Sequence, residues 1–305
     1  MTDSDQVLQD LRQTSFAVAY RMLGSVSEAE DVVQEALLRV HQALDEGTLI
    51  ESPRAFITTI TTRLAINELR SARARRERYV GEWLPEPIIT GDGNDPERQV
   101  EMADSLSLAL LVLLENLSPE QRAALLLHDV FGYGYPEIAD IIGKSEGNVR
   151  QLTSRARRHI EHRRPRFEST ESQREELARR FFAAAEHGDL AGLESLLARD
   201  VQLTGDGGGK VPASSKPLRG RDRVARVFLR GIRLLTGIPG VSLRPTEVNG
   251  GPGAIVVDGE HRLLGVLALD IVDGHITAID SVVNPDKLAH LGPVADVESL
   301  LRSSG

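Results

Sequence analysis

Apolar residues recur at helical spacing through the first half of the chain, then fall into short strand-like runs in the last third, so the pattern changes period once. Phe16, Ala19, Tyr20 and Leu23 form one stripe that stops at Gly24, a helix terminator. Ser27-Glu28-Ala29-Glu30 reads as a capping box, and Val33, Ala36, Leu37, Val40 and Leu44 follow it, which predicts a helix over 28–44. Ser52-Pro53 reads as an N-cap and first helical position, opening a helix through Phe56, Ile57, Ile60 and Leu64 into Arg70. The first unit is therefore a small helical bundle.

Between 79 and 101 stand Gly81, Pro85, Pro87, Gly91, Gly93 and Pro96, more breakers than a helix tolerates, so this stretch is a linker. Helical periodicity resumes from Met102 through Leu106, Leu110, Leu113 and Leu117, and again after Ser118-Pro119 through Ala123, Leu126 and Leu127. Further on, two short helices (175–187 and 190–198) precede the runs VQL, AIVVD, LLGVLALDIV and HITAIDSVV. Asp258-Gly259 and Asp273-Gly274 sit between apolar runs as hairpin signals, so the last third reads as α+β with a mainly antiparallel sheet.

Residues 133–163 support two helices joined by a tight turn. Pro136 suits the first turn of one helix, Gly143-Lys144 makes the turn, and Ser145 is a good N-cap for the next. In that second helix Val149, Leu152, Ala156 and Ile160 face inward, while Asn148, Arg150, Gln151, Ser154, Arg155 and Arg158 face outward. Amide and guanidinium groups crowded on an exposed helix can pair with adenine and guanine edges in a major groove, and Arg157, Arg163 and Arg164 suit phosphates.

Charge sharpens that reading. The net charge of −9 argues against a simple DNA-binding protein, yet Arg63 to Arg78 and Lys144 to Arg166 are basic islands in an acidic chain. With 305 residues, two or three domains are expected; with no cysteine, disulfides, thiolate chemistry and Cys-ligated metals are excluded. The polar N-terminus and the lack of a long apolar run disfavour secretion and membrane spanning, which suits a cytoplasmic address.

The arrangement resembles the extracytoplasmic-function (group four) RNA polymerase sigma factors. Two stretches carry the likeness: SEAEDVVQEALLRV at 27–40, like the region-two helix that docks on polymerase, and LSPEQRAALLLHDVFGYGYPEIADIIGKSEGNVRQLTSRARRHI at 117–160, like the region-four domain that reads the −35 element. The resemblance implies core polymerase binding by Asp31, Gln34, Glu35 and Arg39. It implies single-stranded −10 contacts on the helix running to Arg70 and just beyond, mapped onto Thr58, Thr59, Thr62, Arg63, Asn67, Arg70 and Arg73, and duplex −35 contacts by Ser145, Asn148, Arg150, Gln151, Ser154, Arg155 and Arg158. Many relatives carry Arg or Asn where this chain has Thr59, Thr62 and Arg63, and Asp in place of Asn67. A plainer account puts the threonines Thr58, Thr59, Thr61 and Thr62 on an exposed helix face.

Three short strings narrow the resemblance to the subgroup fused to a C-terminal SnoaL-like domain: WLPEP (Trp83, Leu84, Pro85, Glu86, Pro87), DGGGK (Asp206, Gly207, Gly208, Gly209, Lys210) and NPDKL (Asn284, Pro285, Asp286, Lys287, Leu288). It implies two all-α sigma domains plus an α+β cone similar to nuclear transport factor two, acting in place of a separate anti-sigma protein. The expected domains are 1–78 (region two), 79–104 (linker), 105–166 (region four), 172–291 (SnoaL-like) and 292–305 (tail). Prolines hold WLPEP extended for docking, and the glycines allow close backbone approach, so the C-terminal domain is expected to grip the linker.

The expected function is transcription initiation with core RNA polymerase and promoter DNA as partners, no membrane, no cofactor, no metal and no catalysis; a small-molecule ligand for the cone is left open. Rivals are a ligand-responsive helix-turn-helix regulator and a SnoaL-like enzyme with a DNA-binding half, the latter drawing on Asp206, Asp258, His261, Asp270, His275 and Asp280.

Overall fold

Local capping signals decide where the helices of the first half begin. In the computed structural model, which describes residues 3–76, 78–90, 107–161, 170–214, 216–297 and 299–300, α1 (Asp3–Leu23) ends at Gly24 in the left-handed region with φ 67°. The N-cap of α2 (Val26–Asp45) is Ser25, whose hydroxyl accepts from the Glu28 amide at 3.2 Å, so the expected Ser27 capping box starts the helix two residues late. Ser52 caps α3 (Pro53–Arg76) by accepting from the Ala55 amide at 3.3 Å. Ala29, Val32, Val33, Ala36 and Val40 form the buried stripe of α2, and its Ala36 and Val40 pack with Leu11 and Ile57, closing a three-helix bundle.

The second helical group is α4 (Leu108–Leu114), α5 (Pro119–Asp129), α6 (Tyr135–Ile142) and α7 (Glu146–Glu161). Ser118 and Gln121 form a reciprocal capping box on α5. Gly143, at φ 66°, ends α6 in the conformation that a side chain would strain, and α7 follows at once. Ile138, Ile141, Leu127 and Val149 share one small core. The start expected at Met102 lies outside the described residues.

The chain divides into two compact units, Met1–Arg78 with Leu111–Arg164, and Tyr79–Leu110 with Pro165–Gly305. In the second, α8 (Glu171–His187) and α9 (Leu190–Leu196) lead into β1 (Leu197–Asp206), β2 (Leu218–Arg219), α10 (Arg221–Thr236), β3 (Ser242–Val248), β4 (Gly251–Val257), β5 (Leu263–Val272), β6 (His275–Val282) and α11 (Pro285–Leu288). Strand order is β2-β1-β6-β5-β4-β3, antiparallel throughout except for the β1/β6 pair. Register puts Leu203 beside Ile279, Ile279 beside Leu269, and Leu267 beside Ala254, so these share a face, and Phe181, Phe182, Phe228 and Ile232 complete the core with them. The opposite face carries Thr204, Asp280 and Ala268 in one row.

Asp273 (φ 50°) and Gly274 (φ 72°) form the β5/β6 turn as expected. Asn249 (φ 52°) and Gly250 (φ 69°) make an equivalent turn between β3 and β4. The α10 helix and the Asn249-Gly250 turn went unpredicted. Among the described residues, no helix is long and apolar enough to cross a membrane.

Candidate nucleic-acid interface and linker latch

The heptad-like stripe of α7 fixes which side chains it presents. Val149 and Ala156 are fully buried, while Asn148, Arg150, Gln151, Ser154, Arg155 and Arg158 are all exposed. Ser145 accepts from the Asn148 amide at 3.4 Å, anchoring the first turn of that surface. Arg150 bonds Glu146 (2.6 Å) and stands 4.4 Å over the Tyr135 ring, and Arg157 pairs with Asp129. These exposed pairs are cheap to exchange for phosphate or base contacts.

On α2, Asp31, Gln34, Glu35 and Arg39 are exposed together, with Glu35 and Arg39 paired at 2.8 Å and Leu38 exposed among them. On α3 the plainer account of an exposed threonine face does not hold. Thr58, Thr61 and Thr62 are buried: Thr58 donates to the Arg54 carbonyl at 2.8 Å, Thr61 shares a 2.7 Å hydrogen bond with Ser15, and the Thr62 hydroxyl is buried without a hydrogen-bond partner among the described residues. Thr59 returns its hydroxyl to the Ala55 carbonyl at 2.8 Å. Back-bonding of this kind is how threonine is tolerated inside a helix. Thr58 and Thr62 therefore have no route to a base in this conformation.

Arg63, Asn67 and Arg70 do face outward, but two of the three are engaged. Arg63 donates from Nε to the Ile141 carbonyl (2.8 Å) and from a terminal nitrogen to the Asp140 carbonyl (2.9 Å), a guanidinium on the C-terminal carbonyls of α6. Arg70 pairs with Glu120 at 2.5 Å, and Arg70 with burial opposing it lowers the Glu120 carboxyl below its ordinary range. The side chain of Arg73 lies outside the described residues. Deeper in the same unit, Glu115 receives both Arg76 and the fully buried Arg122, whose guanidinium burial pulls below its ordinary value against the pull of Glu115.

The three short strings converge in the second unit. Asp206, at the end of β1 and fully buried, accepts from the Leu84 amide (2.8 Å), the Tyr79 hydroxyl (2.6 Å), the Gly208 amide (3.1 Å) and Lys287 Nζ (2.6 Å). Lys287 also donates to the Leu84 carbonyl, and its ammonium stands 4.1 Å from the Trp83 ring centroid and 4.8 Å from that of Tyr79. Asn284 donates to the Tyr79 hydroxyl at 2.7 Å and caps α11, while Lys210 pairs with Asp286. Burial and the adjacent Asp206 carboxylate raise the Tyr79 hydroxyl well above its ordinary value, so it stays a donor. Gly208 is required: a Cβ there would lie 2.3 Å from the Asn284 amide nitrogen, and its φ is +60°.

The linker continues across to β3. His290 meets the Pro87 carbonyl (2.8 Å), Ile88 donates to Asn249 (3.0 Å), the Asn249 amide returns to the Ile88 carbonyl (2.8 Å), and Ile89 bridges Val248. Leu84, Pro85, Glu86 and Pro87 are buried along this path. Asp206 and Lys287 form a buried ion pair, and a pair so placed costs several kcal/mol if one partner is removed.

The carboxylates and imidazoles considered for catalysis do not converge. Asp206 is committed to the linker, Asp258 is a turn carboxylate bound by Arg262, and His261 and His275 are exposed. Asp280 is buried on β6 and Asp270 half-buried nearby on β5, and burial pushes Asp280 up to about 7 and raises Asp270 as well. Among the described residues no cluster of three or more His, Asp or Glu could hold a metal.

Residues 7–75 match the family described as Sigma-70 region 2, and residues 107–160 the one described as Sigma-70, region 4. The chain is 41% identical over 288 residues to the ECF RNA polymerase sigma factor SigJ of Mycobacterium tuberculosis, covering 91% of this chain and 90% of that one. It is 35% identical over 279 residues to the probable ECF RNA polymerase sigma factor SigI of the same species, covering 89% and 90%. The crystal structure of M. tuberculosis SigJ superposes with a TM-score of 0.76 at 37% identity, covering 94% of this chain and 98% of that one.

Proposed function

Because this chain belongs to the extracytoplasmic-function RNA polymerase sigma factors, which bind core polymerase and promoter DNA to start transcription, we propose that its own C-terminal domain restrains that activity by gripping the linker between regions two and four. The Asp206–Lys287 pair closed on the Leu84 backbone carries this reading. A buried charge pair that binds both backbone groups of one linker residue is a contact that opens as a unit, since neither partner tolerates being left alone. Opening the latch is the regulatory step.

In the active factor, Asp31, Gln34, Glu35 and Arg39 dock on polymerase. Thr59, Arg63, Asn67 and Arg70 track the −10 strand, with Arg73 following them and Thr58 and Thr62 shaping the helix from within. Ser145, Asn148, Arg150, Gln151, Ser154, Arg155 and Arg158 read the −35 duplex. Support comes from the exposure of the polymerase and −35 sets, and of Arg63, Asn67 and Arg70, on single helix faces, and from the weak, exchangeable pairs that Arg63 and Arg70 make. Core polymerase acts in the cytoplasm, and the chain works there.

The test adds full-length chain to sigma-free core polymerase on fragmented genomic DNA and maps transcript starts, beside the double variant D206N/K287M, which neutralises the latch without orphaning either charge. Starts sharing two spaced elements, more abundant with the variant by about tenfold (about 1.4 kcal/mol of latch closure), are the expected outcome. Fewer starts with the variant would reverse the sign of the regulation.

A further inference from the structure

The α10 helix, RDRVARVFLRGIRLLT, carries five arginines against one acid, Asp222. Val224, Ala225, Phe228, Leu229 and Ile232 face the sheet. On the other side Arg223, Arg226, Arg230 and Arg233 recur at i, i+3, i+7 and i+10, and all four are exposed. At 1.5 Å per residue this stripe runs about 15 Å.

Several exposed arginines elsewhere are matched by a carboxylate, within their own helix as Arg39 is by Glu35, Arg150 by Glu146 and Arg179 by Glu176, or across helices as Arg70 is by Glu120. Among the described residues, no carboxylate pairs with Arg199, Arg219, Arg223, Arg226 or Arg230. Arg226 and Arg233 instead hold the backbone carbonyls of Asp222 (3.0 Å) and Gly188 (3.1 Å). The start of α10 opens on a cleft of about 520 Å³ lined by Arg199, Arg221, Arg223 and Arg226 with Asp222 and Gly220. Within this cleft region the Arg221 Nε is buried with no hydrogen-bond partner among the described residues, and the N-cap Gly220 supplies no side-chain acceptor. In a chain of net charge −9, this concentration of unmatched guanidinium calls for an external anion.

We propose that this face of α10 binds the phosphate backbone of duplex DNA immediately upstream of the −35 element. A free phosphate would satisfy the cleft alone, whereas a stripe of about 15 Å matches several successive phosphates of one strand at about 3.4 Å each along the duplex axis. Arginine forks suit phosphate oxygens and position without reading sequence. Nine residues separate Glu161, the end of α7, from Glu171, a span of about 30 Å at most. A domain so tethered to a DNA-bound helix meets neighbouring phosphates at high effective concentration. The proposal rests on α7 being the −35 reader. Val227 and Leu234 stand exposed beside the arginines, which makes an acidic protein surface the rival occupant.

The test assembles core polymerase with full-length chain, latch intact and D206N/K287M, on promoter fragments that end at the −35 element or extend two helical turns further upstream. R223Q/R226Q/R230Q is compared in each background over a range of salt. The longer fragment is expected to bind about tenfold tighter, and the triple variant to lose that advantage together with about 3 of the salt slope, near 0.9 per phosphate released. Equal binding of both fragments by the parent chain overturns the proposal. So does a loss that is the same on both fragments, which assigns the stripe to a protein surface, or an advantage abolished by millimolar inorganic phosphate at constant ionic strength, which assigns the cleft to a small anion. Failure on both fragments in every background removes the −35 reading and the proposal with it.

Discussion

Asp280 shows how much one buried side chain can govern. Its carboxyl lies on β6 beside Thr204, with Asp270 nearby on β5, and burial first and the Asp270 charge second push it up to about 7, while Thr204 acts in the opposite direction. An unfolded aspartate titrates near 3.9, so between those values the folded chain binds more protons than the unfolded one. The contribution of Asp280 to stability is therefore fullest below about pH 4, falls as pH rises toward 7, and is flat above it, with a total change of up to about 4 kcal/mol. Asp280→Asn keeps the shape and removes the titration. The variant is expected to match the parent at pH 4 and to exceed it by a few kcal/mol at pH 8, read as the urea midpoint of Trp83 emission, the chain having a single tryptophan. An equal difference at both values would mean that Asp280 titrates normally.

Between elements of the sigma half, one deep contact contrasts with two shallow ones. Arg122 is buried with its charge answered by Glu115, while Arg63 and Arg70 grip α6 and α5 from the exposed side of α3. Glu115→Gln leaves Arg122 uncompensated and is expected to cost about 3 kcal/mol, a drop of several degrees in melting temperature, against under about 1 kcal/mol for Glu120→Gln. Similar small losses for both would deny Glu115 its role. Signals confined to a few residues were readable from sequence: the Gly143 turn, the Ser145 cap and the Asp273-Gly274 hairpin each follow from one backbone preference. The inward stripe of α7 was legible for the same reason. The α10 helix was not, because its five arginines mask five buried positions, and neither was the burial of Thr58 and Thr62, which depends on packing. The three motifs could be named as strings, but the pairing of Asp206 with Lys287, 81 residues apart, exists only in the fold.

Across the whole molecule the chain passes between its two units three times, at 78/79, 110/111 and 164/165, and the proposed latch would act through this path. Asp206 and Lys287 hold Leu84 and Asp206 also holds Tyr79, three residues beyond the end of α3, while nine residues connect α7 to α8. The −10 and −35 elements stand about 25 nucleotides apart, about 85 Å of duplex. Short tethers to a common anchor oppose that separation, whereas a released linker from 79 to 107 reaches about 100 Å. The pairs from Arg63 and Arg70 are internal to the sigma unit and individually weak, so they should persist without the C-terminal domain and yield to polymerase. With no cysteine in the chain, spin labels at S71C and K144C report the distance from α3 to the α6–α7 turn without background. Full-length chain and a chain ending at Arg166 are expected to give the same short distance alone. Adding core polymerase should lengthen it in the truncated chain and in D206N/K287M, and far less in the parent. A long, broad distribution in the truncated chain before polymerase is added would mean that the C-terminal domain closes the sigma half as well as holding its linker.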